Sequence, residues 1–181
     1  MTKTRELLPN CYYIPLSQFK DDRGCLVKIP LEIDLPDLST KFESRDEFFS
    51  VSKRNVIRGM HFQLPPYDHE KFVFCSRGAV QDVLLDLRVG SDYGRTVSLI
   101  LEACTPAAIY IPRGVAHGFK SLIDDTVMYY KTSSTYQRDF DSGILFDSFG
   151  FDWALSSPII SDRDAKHQRF ANFESPFDVG I

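Results

Sequence analysis

Ile111-Pro-Arg-Gly-Val-Ala-His-Gly-Phe119 is the stretch that decides the fold of this 181-residue chain. Its Pro-x-Gly-x-x-His spacing predicts a tight turn followed at once by a strand, because proline and glycine favour turns and the residues after them are mostly apolar. His117 would then lie at the start of a strand, where a small barrel opens. An imidazole in that place is a candidate site residue.

Short runs rich in branched and aromatic residues surround this stretch and predict an all-β fold. They are residues 72–75, 79–88, 96–101, 107–111 and 126–132. In the second run, apolar Val83 and Leu85 alternate with Asp82 and Asp86, which is the period of a strand with acids on one face. Helical periodicity is limited to residues 161–170, where we expect a short terminal helix. The sequence therefore predicts a single all-β domain over residues 1–181, a sandwich or barrel.

Composition and charge exclude several classes of protein. With 15 Phe, 8 Tyr and 1 Trp, the chain has ample material for a core, and its net charge of -4 argues against a nucleic-acid partner. Residues 1–9 lack the apolar run of a signal peptide, and no stretch approaches the roughly 20 apolar residues of a membrane helix. We therefore expect a cytoplasmic protein without a membrane partner. Its four scattered cysteines are interpreted as reduced packing residues: Cys11, Cys25, Cys75 and Cys104.

The Pro-x-Gly-x-x-His spacing resembles the second signature of the cupin double-stranded β-helix, a jelly roll. The first cupin signature supplies His-x-His and a later Glu, and alternate residues on a strand converge on a metal. Here His61-Phe-Gln63 offers one imidazole and one amide, and Glu70 follows too late. Because a neutral amide is a poor ligand for a transition metal, we expect neither a metal nor another cofactor. The remaining histidines, His69 and His167, are expected at the surface.

Taken together, the motifs resemble the dTDP-4-dehydrorhamnose 3,5-epimerase family. They follow one another in order between about residues 19 and 164: Asp22-Arg-Gly24, Arg58-Gly-Met-His-Phe-Gln63, Lys71-Phe-Val73, Asp82-Val-Leu-Leu-Asp-Leu-Arg88, the stretch ending at Phe119, Tyr130-Lys-Thr132 and Ser161-Asp-Arg-Asp164. The resemblance implies a homodimeric, metal-free cupin. It would epimerise a nucleotide-linked 4-keto-6-deoxy sugar at C3, at C5 or at both.

The resemblance also implies catalytic roles. His61 would remove the proton beside the ketone with Asp164 as its carboxylate partner, and Tyr130 would return a proton from the opposite face. Lys71 would stabilise the enolate oxygen, with His117 donating to the same region. These residue types suit the chemistry, because epimerisation beside a carbonyl needs a base, an acid on the other face and stabilisation of the enolate charge. Read without the resemblance, Asp164 could simply cap the terminal segment.

Substrate-binding positions follow from the same resemblance. Arg23 and Arg58 would contact the diphosphate, and Tyr136 would stack on the base. Gln63, Asp141 and Arg163 match further contact positions.

Two departures fall in the binding region. Residues 46–52 replace a Gln-x-Asn pattern, and Lys28 stands where the family carries a Glu. The nucleotide therefore stays open between thymidine, cytidine and guanosine. The activity keeps two alternatives, a 3,4-ketoisomerase on the same scaffold and a non-catalytic cupin that only binds a nucleotide sugar.

Overall fold

A computed structural model describes residues 3–30 and 42–178, and these form thirteen strands without an α-helix. The strands are β1 (Arg5–Leu8), β2 (Cys11–Pro15), β3 (Ser17–Asp21), β4 (Gly24–Lys28), β5 (Asp46–Ser52), β6 (Ile57–Gln63), β7 (Lys71–Arg77), β8 (Ala79–Asp86), β9 (Thr96–Glu102), β10 (Ala107–Ile111), β11 (Val115–Ser121), β12 (Thr126–Thr132) and β13 (Asp141–Gly143). Each of the five runs predicted from the sequence is a strand, and the last two have the predicted bounds.

Two antiparallel sheets make up the body of the fold. One has the order β1-β2-β10-β7-β12-β5, and the other has the order β13-β6-β11-β8-β9. The β3–β4 hairpin forms a separate two-stranded sheet. The predicted all-β jelly roll is confirmed.

Strand β8 shows why this sequence buries both faces of its sheet. Val80 and Leu84 belong to an apolar cluster that joins the two large sheets, whereas Val83 and Leu85 pack with residues of the C-terminal segment such as Trp153. Burial of each such side chain contributes about 1.5–3 kcal/mol. Since the acids alternate with the outer apolar residues, Asp82 points inward and is fully buried. The inner face of this sheet therefore carries a carboxylate into the space between the sheets.

The short helical segment expected over residues 161–170 is present only as 3-10 turns, not as a continuous helix. Two 3-10 turns stand there, Asp164–Lys166 and Phe170–Asn172, and His167 between them is extended. The physical reason is the lack of an apolar stripe, because Ala165 is the one apolar residue between Ser161 and Arg169. The chain instead runs along the sheet, where Leu145 N–H donates to the carbonyl of Gln168.

Two of the four cysteines are not packing residues. Cys11 and Cys75 are buried as predicted, but Cys25 in the β3–β4 hairpin and Cys104 in the turn after β9 are exposed. Neither position faces a core, because Cys25 lies on an exposed part of the hairpin and Cys104 lies beyond the end of β9. Across the described part of the chain, no helix has the length and apolar character needed to cross a membrane.

Candidate active site

A cavity of about 270 Å³ is lined by strands of both large sheets. Strands β6 and β11 contribute residues from one sheet, and β5, β7 and β12 from the other. Most of the site residues expected from the sequence line it: Arg58, His61, Gln63, Lys71, His117, Tyr130, Tyr136, Asp141 and Arg163. The fold therefore brings together residues that are far apart along the chain.

His61 and His117 are direct partners on the neighbouring strands β6 and β11. Cross-strand partners point to the same face of a sheet, so both imidazoles line the cavity. The two strands approach closely at Gly59, whose φ is +135° and whose added Cβ would lie 2.5 Å from the Cα of Gly118. Gly59 and Gly118 thus allow the close approach of the two strands that carry these histidines.

Asp164 lies behind His61 and holds its ring. The Asp164 Oδ1 atom lies 2.9 Å from His61 Nε2, and Oδ2 accepts a hydrogen bond from Gly59 N–H at 3.1 Å. Burial alone would raise the pKa of Asp164, but the neighbouring His167 and His61 rings and Gly59 N–H hold that pKa well below its usual value. Asp164 is therefore a carboxylate, and it favours the tautomer of His61 with the proton on Nε2 and a free lone pair on Nδ1.

Burial is also the main reason that the pKa of His61 is lowered, and the charges of Arg163 and Lys71 act in the same direction. Asp164 opposes them, but the net shift leaves His61 below its ordinary pKa of about 6.5. The ring is therefore neutral at neutral pH. A neutral imidazole next to a carboxylate is suited to accept a proton from a substrate.

A second imidazole–carboxylate pair lies deeper in the cavity. His117 Nε2 is 2.7 Å from Asp82 Oδ2, and both side chains are buried. The sequence predicts no role for Asp82, whereas the structure shows that it positions His117. Burial is the main cause that raises the pKa of Asp82.

Tyr130 faces this pair from the other sheet, with its ring centroid 6.2 Å from that of His117. Its neighbour Tyr129 points away and stacks on Phe74, so the choice between the adjacent tyrosines falls on Tyr130. Phe48 of β5 stacks on Tyr130 at 4.8 Å. Burial raises the pKa of the Tyr130 phenol, which therefore keeps its proton and can act as an acid.

Lys71 supplies a buried positive charge to the cavity between the two large sheets. Its Nζ donates to the main-chain carbonyl of His61 at 2.8 Å. Burial lowers its pKa to about 8, although Asp141 and Asp82 oppose that shift. The ammonium group is largely charged at neutral pH and can stabilise a developing oxyanion in the cavity.

Two arginines carry further positive charge to the cavity. Arg58 is fixed by bonds from its guanidinium to Ser52 Oγ and the carbonyl of Val51, at 3.0 and 3.1 Å. Arg163 contacts both carboxylate oxygens of Asp141, at 2.8 and 2.7 Å. Asp141 also accepts a hydrogen bond from the exposed Tyr136 hydroxyl, which joins the three residues at the cavity mouth.

Gln63 lines the cavity, but its amide is engaged by the protein itself. Its nitrogen donates to the carbonyl of Tyr67 at 2.8 Å and lies 3.0 Å from His69 Nδ1, while its oxygen accepts from Gln137 N–H at 2.7 Å. Gln63 therefore ties the loop that carries Tyr136 to strand β6.

Arg23 is the predicted site residue that the structure does not bring to this cavity. It lies in the turn of the β3–β4 hairpin, pairs with Asp21 and has a side chain that is 90% exposed. A cavity built from one chain thus leaves this arginine unused.

The prediction that His69 and His167 are surface residues is wrong. His69 lines the cavity beside Gln63, and burial lowers its pKa to about 3, so the ring is neutral. His167 is mostly buried, and its ring centroid lies 5.6 Å from that of His61. Sequence reasoning missed both because neither lies in an alternating strand pattern. The signal for His167 was its spacing of three residues from Asp164.

The chain is similar to known proteins in sequence and in overall structure. The family model described as dTDP-4-dehydrorhamnose 3,5-epimerase matches residues 5–172. The dTDP-4-dehydrorhamnose 3,5-epimerase of Shigella flexneri is 32% identical over 91% of this chain and 93% of its own length. A dTDP-4-dehydrorhamnose 3-epimerase from Streptomyces niveus is 40% identical over 64% of this chain and 57% of its own length. The crystal structure of a dTDP-4-dehydrorhamnose 3,5-epimerase from Bacillus anthracis, with TDP and PPi bound, has a TM-score of 0.83 at 31% identity, covering 88% of this chain and 94% of that one.

Proposed function

Because this chain belongs to the dTDP-4-dehydrorhamnose 3,5-epimerase family, we propose that it epimerises a nucleotide-linked 4-keto-6-deoxy sugar at C3, at C5 or at both. The observation that carries this proposal is the arrangement around His61. A neutral imidazole with a carboxylate behind it, a buried phenol and a buried ammonium group line one cavity. These are the base, the acid and the charge that the reaction requires.

His61 and Tyr130 carry out the proton transfers of the proposed reaction. His61 Nδ1 takes the proton from the carbon beside the ketone, and the electron pair of that C–H bond forms the enolate double bond as the carbonyl oxygen becomes negative. Lys71 and His117 stabilise this oxygen. Tyr130 then donates its proton to the opposite face of the carbon, which inverts the centre, and solvent exchange restores both groups.

Binding is assigned to the cavity mouth. Arg58 would contact the diphosphate with its planar fork of donors, which suits two phosphate oxygens at once. Arg163 and Asp141 would contact the substrate as an ion pair, and the exposed Tyr136 would stack on the base. Thymidine is the favoured base, since the Bacillus anthracis relative was crystallised with TDP. Cytidine and guanosine carriers remain the alternatives that a test should include.

We propose that a homodimer completes this site. The β3–β4 hairpin, whose turn carries Arg23, forms its own two-stranded sheet and exposes Phe19 and Leu26, while edge strand β5 exposes Phe49 and Val51. Exposed large apolar side chains on a hairpin and on an edge strand support an interface with a second copy of the chain. If the hairpin of one subunit reached the cavity of its partner, Arg23 would supply the second diphosphate contact. The proposal includes a single domain over residues 1–181 and a cytoplasmic location, where all four thiols would stay reduced.

The test of the activity is proton NMR in D₂O with dTDP-4-keto-6-deoxyglucose and its CDP- and GDP-linked counterparts. We expect loss of the C3 signal, the C5 signal or both, fastest for the dTDP sugar. A 3-keto product would replace the proposal by the ketoisomerase, and binding without exchange would replace it by a non-catalytic binding protein.

The dimer has its own test, which is complementation. Arg23→Ala and His61→Asn variants should each be inactive, and mixing them should partly restore turnover, because a mixed dimer holds one intact site. Failure to restore turnover after subunit exchange would place Arg23 in its own subunit's site or outside the site.

A further inference from the structure

His61 and Asp164 have a third neighbour that the proposed reaction does not use. Within residues 3–30 and 42–178, the ligating atoms of His61, Asp164 and His167 all lie within 4.8 Å of one another. Asp164 Oδ1 is 2.9 Å from His61 Nε2 and 3.6 Å from His167 Nε2. Zinc bonds of about 2.0–2.2 Å in tetrahedral geometry set neighbouring ligands roughly 3.3–3.5 Å apart, so these separations lie close to those of a metal site.

The fold holds the His167 ring in this place. A Cβ added at Gly143 would lie 2.5 Å from His167 Nε2, so the ring packs directly on a position that must be glycine. Gly143 is in turn the strand partner of His61. The hydrogen bond from Leu145 N–H to the carbonyl of Gln168 fixes the chain at the residue after His167.

The Nε2 atom of this ring lacks a hydrogen bond of normal length within the described part of the chain. It is buried, and its ion-pair partner Asp164 Oδ1 lies 3.6 Å away, beyond hydrogen-bond distance. A buried polar atom without a normal hydrogen bond is uncommon and calls for a ligand or a function. The His117–Asp82 pair in the same cavity differs. Its two atoms lie 2.7 Å apart, but among the described residues no second imidazole completes a cluster of three ligands within 4.8 Å.

We propose that His61, Asp164 and His167 form a binding site for Zn²⁺ or a similar divalent transition metal, and that the bound metal inhibits the enzyme. Two imidazoles and one carboxylate are a common ligand set for zinc, and a fourth position would stay open to water. The binding half of this proposal stands on the geometry alone, whereas the inhibition half rests on the proposed function.

Inhibition follows from the tautomer of His61. In the active form, the single N–H of the neutral ring lies on Nε2 and donates to Asp164. When a metal takes the Nε2 lone pair, that one N–H must lie on Nδ1 instead. Nδ1 then has no lone pair for the substrate proton, and Asp164 can no longer hold the ring as its hydrogen-bond acceptor. The metal would therefore remove the base while the cavity stays open for the nucleotide sugar.

The binding test uses calorimetry with Zn²⁺ and the visible absorbance of Co²⁺. It is run in a Cys25→Ser, Cys104→Ser background, because these two exposed thiols are the strongest competing ligands. We expect one metal per chain. His167→Ala and the milder His167→Gln should weaken binding by about 10–100-fold or more, as for loss of groups that support a metal site. Lys166→Ala, an exposed change in the same turn, is the control and should bind like its parent.

Two results would overturn the metal site. One is the absence of stoichiometric binding in the parent, and the other is unchanged affinity in both His167 variants. Inhibition is then measured as the ratio of rates with and without Zn²⁺ for each variant, with recovery on adding chelator. Metal bound through His167 that leaves the epimerase rate unchanged would refute the inhibition. Metal binding by a protein that lacks epimerase activity would uphold the site and refute the proposed function.

Discussion

Asp164→Asn is the substitution whose consequences follow most fully from the structure. The carboxylate accepts two hydrogen bonds on different oxygens, from Gly59 N–H at 3.1 Å and from His61 Nε2 at 2.9 Å. An amide has one acceptor oxygen and cannot serve both. If the oxygen faces His61, Gly59 N–H meets an NH₂ group. If the oxygen faces Gly59, the NH₂ group faces His61 and the ring must carry its proton on Nδ1, where it cannot act as a base.

The expected loss of activity can be estimated from the charge that disappears. His61 becomes an imidazolium during proton removal, and unit charges about 4 Å apart attract by about 4 kcal/mol at an effective dielectric constant of about 20. Since about 1.4 kcal/mol is a factor of ten in rate, the loss is about 10³-fold. The unpaired Gly59 N–H would lower the free energy of unfolding by about 1–3 kcal/mol.

The assay for Asp164→Asn is the rate at which solvent deuterium enters the sugar, with unfolding followed separately in denaturant. Asp162→Asn is the matched control, because it removes the same charge at an exposed position two residues away. Exchange by Asp164→Asn within about tenfold of the wild-type rate, in a folded protein, would refute the carboxylate's role in holding the base.

Three further predictions concern the pH profile, the acid and the strand contact. The kcat/KM profile should fall on the acid side below pH 6.5, as His61 gains a proton, and on the basic side near pH 8, as Lys71 loses one. Lys71→Arg should move the basic limb to higher pH, because the guanidinium group stays charged. A basic limb that does not move would show that Lys71 is not the group that titrates there. Tyr130→Phe should slow inversion more than deuterium exchange, measured on the same sample by NMR, and equal losses would contradict its role as the acid. Gly59→Ala should lower the free energy of unfolding by about 3 kcal/mol or more, because its Cβ would meet Gly118. Gly150→Ala is the control, since Gly150 has a positive φ but open space around it, and it should cost about 1 kcal/mol. Equal losses in denaturant unfolding would disprove the close contact between Gly59 and Gly118.

The strands could be predicted where the pattern is local. Runs 107–111 and 126–132 became β10 and β12 with the predicted bounds, because their branched and aromatic residues and their flanking turns are visible within a few residues. The pairing of His61 with Asp164 joins positions 103 residues apart. Composition and periodicity carry no information at that distance, so this pair was expected only from the family resemblance.

The misjudged positions depend on tertiary packing. His167 could not be placed from sequence, because its burial results from a 3-10 turn and from the space that Gly143 leaves. Cys104 follows an apolar run, but the strand ends before it and the turn carries the thiol outward. Arg23 lies on a hairpin outside its own cavity, so its predicted role depends on a partner subunit.

The most direct test of the central claim, that His61 removes the proton beside the ketone, is the deuterium exchange rate of His61→Asn with saturating nucleotide sugar. Asn preserves polarity but cannot accept the proton, and general-base contributions are typically about 10²–10⁴-fold. We predict a loss in that range at every centre that the wild type exchanges, with substrate affinity retained in calorimetry. Exchange within about threefold of the wild-type rate would contradict the assignment and leave the cavity without its base.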